Sequence, residues 1–366
     1  MSGKQLAEAL RATQAIGDER QRAQALAALA PHIAKEDRSV VLDEALENAR
    51  AIGNEWDSAT ALVAIARHFA NEERPDVIAE TLRCIHAINN EWHLAKALVA
   101  LAPQLSGEQL AEAFQVAWHI DDEGIRTFAL AALARYLLSE AREDMLAEVL
   151  QTVRTIGNEW DRSQVLAVLG PQIDGELLAN GLESARAIGD EWLRAKALAA
   201  LVSQLNYEER PGVLAEALKA ARTVSNDWRR ADALAALAPQ LSGEERSGVL
   251  NEALRAARTI RDEPGQADAL AALAPQLSGE ERSDVLNEAL RAARTIRNDW
   301  RRADALAALA PQLSEDHMRS AILDMLAALS RQGRRRGLEC LESAAPALAG
   351  LGGELRSSKL SKRFAM

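Results

Sequence analysis

The chain has 366 residues and a net charge of −11, and its 74 alanines and 52 leucines make up about a third of it. Aromatic residues account for only 4% of the chain, so it offers few of the side chains that strands prefer, whereas Ala and Leu favour helices. Two cysteines are too few for a disulfide framework or a zinc ribbon. No apolar run approaches the ~20 residues of a membrane span, and the sequence shows no secretory leader. We therefore expect a soluble, cytoplasmic protein.

The first predicted element is a single helix at residues 5–16, which matches the second helix of the repeat described below. No first helix precedes it, so the predicted array, residues 4–330, opens inside a repeat. An uncovered first helix predicts stacking of two copies end to end, as a homo-oligomer. The alternatives are the excised end of a larger protein and a short natural stand-alone version.

A short turn then recurs along the chain. Residues 52–56 (Ile-Gly-Asn-Glu-Trp) return at 156–160 and, with Asp for Asn, at 188–192. We call the position of Trp56 the anchor; successive anchors are 36 residues apart, except for two spacings of 32. The nine anchors are Arg20, Trp56, Trp92, Gly124, Trp160, Trp192, Trp228, Pro264 and Trp300.

Each repeat is predicted to hold two helices, which we call the A-helix and the B-helix. Asn or Asp lies two residues before every anchor, where its side chain can accept a hydrogen bond from an unpaired N–H of the first turn of an A-helix. The glycine before this cap, as in Gly53, Gly157 and Gly189, is interpreted as a left-handed end of the preceding B-helix. Proline is predicted to end the A-helix in six repeats: Pro31, Pro103, Pro171, Pro239, Pro275 and Pro311.

The apolar residues of each repeat follow a helical period. Leu lies six residues after every anchor, Leu or Ile nine residues after it, and a small residue three after it, as in Ala59, Leu62 and Ile65. The B-helix carries a second stripe, illustrated by Val249, Leu250, Ala253, Leu254, Ala257 and Ile260. Because one repeat cannot bury its apolar faces alone, we predict an all-α fold, a right-handed α-solenoid of about nine helical hairpins.

The repeat resembles known two-helix repeats. Proline at the end of the A-helix, as in residues 237–239 (Leu-Ala-Pro), is similar to the HEAT pattern, whereas Trp near its start resembles the tetratricopeptide pattern. The phrases Ala-Ile-Gly-Asp-Glu-Trp and Ala-Leu-Ala-Ala-Leu-Ala resemble bacterial arrays that accompany NACHT, NB-ARC or caspase-like domains. The resemblance implies a sensor or adaptor role in signalling or defence.

The end of the chain differs from the array. Residues 331–356 are predicted to cap the solenoid and residues 357–366 to form a flexible basic tail. Residues 331–366 carry a net charge of +5, which leaves −16 on the rest. An acidic array makes nucleic acid an unlikely partner, because phosphate binding needs a clustered positive surface.

Charged positions also repeat in register. Arginine recurs near the end of the B-helix, where the exceptions are Gln14, His86 and Trp118, and it recurs two residues after the anchor. Glutamate recurs in the B-helix, as in Glu80 and Glu216. Such columns predict either a groove for a peptide or charged polymer, or salt bridges between neighbouring helices. The candidate partner contacts in the first column are Arg154, Arg186, Arg222, Arg258 and Arg294.

The remaining candidates are aromatic. The anchor tryptophans are interpreted either as stacking surfaces for a ligand or as packing across the hairpin junction. Trp118 lies off that column and, with Phe114, His119 and Phe128, predicts a specific contact patch in an aromatic-poor chain. The alternative is a core rearranged around the short 32-residue spacing.

Catalytic signals are weak. The histidines form no metalloprotease or nucleophile arrangement, and there is no glycine-rich phosphate loop. Cys84, His86, His93 and His119 lie in adjacent repeats, but their spacing matches no ligand motif, so we predict no enzyme, no metal and no cofactor. We expect a protein or peptide partner on an interaction scaffold; the alternatives are a self-assembling solenoid and nucleic-acid binding through the arginine columns and the tail.

Overall fold

The computed structural model describes residues 19–30, 35–68 and 75–309, together with single positions outside these ranges. These residues form helices and the turns that connect them, without a strand. The predicted helix at 5–16 and the predicted segments 331–356 and 357–366 lie outside the described residues, apart from isolated positions in the first.

We number the described α-helices α1 to α17 in chain order, so that odd numbers are A-helices and even numbers are B-helices. The A-helices are α1 (Glu19–Leu29), α3 (Glu55–Ala66), α5 (Glu91–Leu101), α7 (Glu123–Ala134), α9 (Glu159–Leu169), α11 (Glu191–Val202), α13 (Asp227–Leu237), α15 (Glu263–Leu273) and α17 (Asp299–Leu309). The B-helices are α2 (Lys35–Ala51), α4 (Pro75–His86), α6 (Gly107–Trp118), α8 (Ser139–Val153), α10 (Gly175–Arg186), α12 (Arg210–Thr223), α14 (Gly243–Thr259) and α16 (Gly279–Thr295).

Every A-helix begins one residue before its anchor, as the capping pattern predicts. The cap oxygen of Asn54 accepts a hydrogen bond from the backbone N–H of Asp57 at 3.0 Å, and the same type of bond recurs along the array. Each such cap stabilises its helix by ~1 kcal/mol relative to alanine. The capping residues are Asn54, Asn90, Asp122, Asn158, Asp190, Asn226, Asp262 and Asn298.

Proline ends the A-helix where the described residues include it. The α-helix stops two residues before the proline, and one 3-10 turn follows, because proline has no N–H to continue the hydrogen-bond pattern. The four turns are Ala102–Gln104, Gly170–Gln172, Ala238–Gln240 and Ala274–Gln276. The prediction is confirmed at these four sites, and Pro31 and Pro311 lie outside the described residues.

The expectation of left-handed glycines before the A-helix caps is wrong. Gly53, Gly157 and Gly189 have no positive φ; the positive values occur at the first residue of four B-helices, as in Gly107 with φ 51°. The turn into the A-helix closes instead with right-handed backbone, since the N–H of Ile188 bonds to the carbonyl of Ala185 at 3.2 Å. The chain therefore needs glycine where it reverses after the 3-10 turn, not before the cap.

The predicted apolar stripes form the core between the A-helices and the B-helices. The leucine six residues after the anchor is buried in all nine repeats, as at Leu62 and Leu166, which are both 0% exposed. Burying such a side chain contributes about 1.5–3 kcal/mol. The small residue three after the anchor is also buried wherever its side chain is described, which lets neighbouring helices approach closely.

The described helices pack with their sequence neighbours, which confirms an all-α repeat solenoid. The chain divides into two compact units: residues 46–253 form one, and residues 1–45 with 254–366 form the other. The first contains α3 to α13 complete, and the second contains α1 and α15 to α17 complete. Within the described part of the chain, no helix has both the length and the apolar character needed to cross a bilayer.

Candidate interaction surfaces

The anchor side chains form an aromatic ladder along the A-helices. Trp56 stacks on His93 of the next A-helix, with ring centroids 4.3 Å apart and planes 20° from parallel. The anchor lies in the first turn of its A-helix, and its ring contacts the A-helix of the following repeat. The other steps of the ladder are Trp92–Phe128 at 5.1 Å, Trp160–Trp192 at 5.5 Å and Trp192–Trp228 at 5.9 Å.

The ladder is interrupted between α7 and α9, where the anchor is Gly124. A Cβ on this glycine would lie only 2.7 Å from the Cβ of Asp161, so the next repeat fills the space that an indole occupies elsewhere. Burial raises the pKa of Asp161, and the nearby charge of Asp122 adds to the effect. The interruption is thus closed by the chain itself.

Trp192 lies between Trp160 and Trp228 and contacts both rings. It is 6% exposed, and its indole N–H donates to Oδ2 of Asp232 at 2.7 Å. Lys196 donates to the same oxygen at 2.9 Å and lies 5.2 Å from the indole centroid. The guanidinium of Arg229 lies 4.8 Å from the centroid of the same ring, within the range of a cation–π interaction. These contacts fix the central indole.

The neighbouring indoles remain available to solvent. Trp160 is 42% exposed and Trp228 is 40% exposed, one on each side of Trp192. Both belong to the residues 46–253 unit, on the first turns of α9 and α13. The result is a row of three contacting indoles with a half-exposed ring at either end.

The repeat junctions carry a carboxylate clamp that the sequence did not reveal. Glu159 accepts the N–H groups of Gly189 at 2.7 Å and Asp190 at 3.0 Å, in the turn of the following repeat. These two hydrogen bonds lower the pKa of Glu159 below its ordinary value. Glu91 holds the next turn in the same way. The only signal in the sequence was the acidic residue before the anchor, which also suits the helix dipole.

The repeated arginines at the ends of the B-helices form an ionic ladder with carboxylates of the next B-helix. Arg222 donates from Nε at 2.8 Å and from Nη2 at 2.9 Å to the two oxygens of Glu252, and this hydrogen bond raises the pKa of Arg222. Of the two interpretations, the salt bridge between neighbouring helices is the arrangement present. The pairs are Arg50–Glu80, Arg154–Glu183, Arg186–Glu216, Arg222–Glu252, Arg258–Glu288 and Arg294–Asp324.

The second arginine column has a capping role. Arg194 donates to the carbonyl of Ile188 at 2.8 Å, and Arg230 donates to the carbonyl of Val224 at 2.9 Å. These carbonyls belong to the final turn before each A-helix and have no partner within the B-helix. The arginines at this position therefore stabilise the repeat junction.

The structure distributes the predicted aromatic patch over three environments. Phe114 is buried at 8% exposure, and Phe128 contacts Trp92 in the aromatic ladder. Trp118, 43% exposed, and the exposed His119 lie at the end of α6. Among the described residues, no ring contact joins Trp118 to the other three. A partner-binding role for these residues, as for the column arginines, stays a prediction.

The described residues hold no group of three or more His, Cys, Asp or Glu side chains placed to bind a metal ion. The thiol of Cys84 is half-buried, and burial together with the charge of Glu80 raises its pKa. It is therefore protonated near neutral pH.

Comparison with known proteins identifies no function for the chain. No family model matches the chain, and no curated protein matches it. The solved structures similar to it include Ton1535 from Thermococcus onnurineus NA1, at 16% identity over 92% of this chain and 94% of that one, with a TM-score of 0.30. Another is a circular tandem repeat protein with novel repeat topology and enhanced subunit contact surfaces, at 17% identity over 94% and 88%, with a TM-score of 0.21. The helices and their repeated contacts define a helical repeat protein.

Proposed function

We propose that the chain is a non-enzymatic interaction scaffold that binds an extended segment of a partner protein along its A-helices. The observation that carries the proposal is the pair of half-exposed indoles, Trp160 and Trp228, on either side of the fixed Trp192. Tryptophan is enriched among the residues that dominate binding energy at protein interfaces. A ring that is already held in place loses little freedom when a partner binds.

The packing of the residues 46–253 unit supports the A-helix layer as the binding layer. Within that unit, successive A-helices pack more extensively against one another than successive B-helices do, and we expect the A-helices to line its inner side. Small, half-buried side chains such as Ala200 and Ala236 lie on the same A-helices. An apolar side chain of the partner is the expected occupant.

The other candidate functions have less support. Each described column arginine at the end of a B-helix is paired with a carboxylate, which reduces the positive charge available to nucleic acid. End-to-end assembly depends on residues 5–16, which lie outside the described ranges. A sensor or adaptor role in bacterial signalling or defence, and a specific HEAT or tetratricopeptide relationship, stay predictions from the resemblance alone.

Selection from a random-peptide display library tests the proposal. We expect peptides with an aromatic or aliphatic anchor to be enriched on the full chain. The double variant Trp160→Ala/Trp228→Ala should bind them at least tenfold more weakly, since a tenfold change corresponds to ~1.4 kcal/mol and each hot-spot ring contributes more than ~1 kcal/mol.

The control is Trp118→Ala, because this indole is about equally exposed but lies on a B-helix. Circular dichroism checks that every variant is folded. Selected peptides that bind the double variant as tightly as the wild type would refute the proposal, as would peptides lost only in Trp118→Ala.

A further inference from the structure

The ionic ladder on the B-helices is broken at two successive steps. At the column position, His86 and Trp118 replace arginine at the ends of α4 and α6. The carboxylate expected to face each position is identified by the sequence separation that joins arginine and carboxylate in the paired repeats. Glu148 follows Trp118 by 30 residues, the separation of Arg50 and Glu80.

The carboxylate that faces His86 is identified from the other repeat of 32 residues. Glu112 follows His86 by 26 residues, the separation of Arg154 and Asn180 across the other short repeat. Glu112 and Glu148 are both exposed, and within the described chain neither carboxylate has an ion pair or a hydrogen bond. We call Trp118, His86, Glu112 and Glu148 the ladder gap.

The helices around the ladder gap are acidic. Helix α6 carries a net charge of −2 and helix α8 a net charge of −3, whereas α12 in the same unit carries +2. The single arginine of α8, Arg142, donates to the backbone carbonyl of Gln172 at 3.3 Å. By the spacing of the paired repeats, Glu148 should face Trp118, whose indole is 43% exposed. A cationic partner would meet both an unmatched charge and an open ring.

We infer that the ladder gap binds an arginine side chain from a basic segment of another protein. The incoming guanidinium takes the place of the missing column arginine and pairs with Glu148, while its flat face lies on Trp118. The chain contains a template for each contact: Arg222 binds Glu252 through two nitrogens, and Arg229 lies 4.8 Å from the centroid of Trp192. Lysine is a poorer ligand, because its ammonium cannot form the planar two-point contact.

Fluorescence anisotropy with a labelled peptide tests the inference on the full chain. The probe is a short peptide of glycine, alanine and arginine, and the matched probes carry lysine or citrulline instead of arginine. We expect the arginine peptide to bind most tightly. Glu148→Gln and Trp118→Ala should each weaken it by about fivefold, the scale of one exposed cation–π or charge-assisted contact.

Two further variants distinguish a specific site from bulk charge. Trp118→Arg restores the column residue and should abolish binding by occupying Glu148 from within the chain. Glu208→Gln makes the same change of charge in the exposed loop between α11 and α12 and should leave binding unchanged. Circular dichroism establishes that each variant is folded, and Glu148→Gln tests the site even if Trp118→Arg does not fold.

Several outcomes would overturn the inference. Equal affinity for the arginine and lysine peptides, an equal loss in Glu208→Gln, or no binding to the wild type would each do so. Tighter probe binding after Arg334, Arg335 and Arg336 are changed to Gln would show that the chain's own basic segment occupies the gap instead. The result is independent of the A-helix surface, since loss of Trp160 and Trp228 leaves the ladder gap intact.

Discussion

Replacing Gly170 with alanine measures how closely two successive A-helices approach. The equivalent residue is alanine in other repeats, as at Ala102 and Ala238, so a consensus substitution would introduce alanine here. Gly170 has φ −43° and ψ −53°, a right-handed helical conformation that alanine adopts readily. A Cβ on Gly170, however, would lie 2.5 Å from the carbonyl oxygen of Ala200 and 2.8 Å from its carbonyl carbon.

The expected magnitude follows from two opposed effects. Alanine instead of glycine in a helical conformation stabilises by ~0.5–1 kcal/mol. Forcing an extra methyl group into a packed interior costs about 1–3 kcal/mol. The obstructing atoms at Gly170 belong to the backbone of α11 and cannot rotate away, so the steric cost dominates. We expect the free energy of unfolding to fall by about 1–2 kcal/mol in Gly170→Ala.

The assay is urea unfolding followed by far-ultraviolet circular dichroism. Gly248→Ala is the matched control: this glycine lies inside α14 with nothing within 4 Å of a Cβ, so the same substitution should stabilise by ~0.5–1 kcal/mol. Because repeat arrays can unfold in stages, the transition midpoints of the two variants are compared under identical conditions. A midpoint for Gly170→Ala at or above that of the wild type would refute the reasoning.

Three further predictions concern contacts between successive repeats. A double-mutant cycle of Arg222→Ala and Glu252→Ala should give a coupling energy of ~0.5–1 kcal/mol that shrinks at high salt, since both side chains are partly exposed; unchanged coupling in salt would contradict it. Glu159→Gln should lower stability at neutral pH by ~0.5–1 kcal/mol, allowing for its exposure. The folded pKa of Glu159 lies below its ordinary 4.5, so the wild type has the added stability above pH 4.5 and loses it as pH falls through the folded pKa. Thermal unfolding of the two proteins should therefore converge in acid. Trp192→Phe should cost ~1 kcal/mol in urea unfolding, because Asp232 loses its indole donor.

The helices of this chain could be predicted from sequence because their boundaries depend on local chemistry. A cap such as Asn54 acts on an N–H only three residues away, and a proline such as Pro103 acts within one turn. The conformation of the glycines could not be predicted in the same way. Glycine permits a positive φ but does not require one, and the geometry of the connection decides that Gly107 uses it and Gly53 does not.

The surfaces were only partly predictable, for a related reason. The columns of arginine and glutamate are visible in the sequence, but the pairing of Arg186 with Glu216 depends on how successive B-helices are spaced and aligned. The anchor tryptophans are visible too, whereas the donation from Trp192 to Asp232 joins residues 40 positions apart. Contacts between repeats are tertiary, so the sequence identified the columns without identifying their partners.

In a chain of near-identical repeats, an exception to a column gains meaning only when the contact made by that column is known. Gly124 is an exception in the aromatic ladder, and the chain closes that space with Asp161, whose pKa is raised by the burial. Trp118 is an exception in the ionic ladder, and no described residue closes that space: the indole is 43% exposed, and Glu148 has no ion pair in the described chain. The exception at Gly124 is explained by the structure alone, because Asp161 of the next repeat fills the space. An exception that leaves a ring and a carboxylate unmatched is where selection for a partner is expected to act, and the variants at Trp118 and Glu148 test that difference directly.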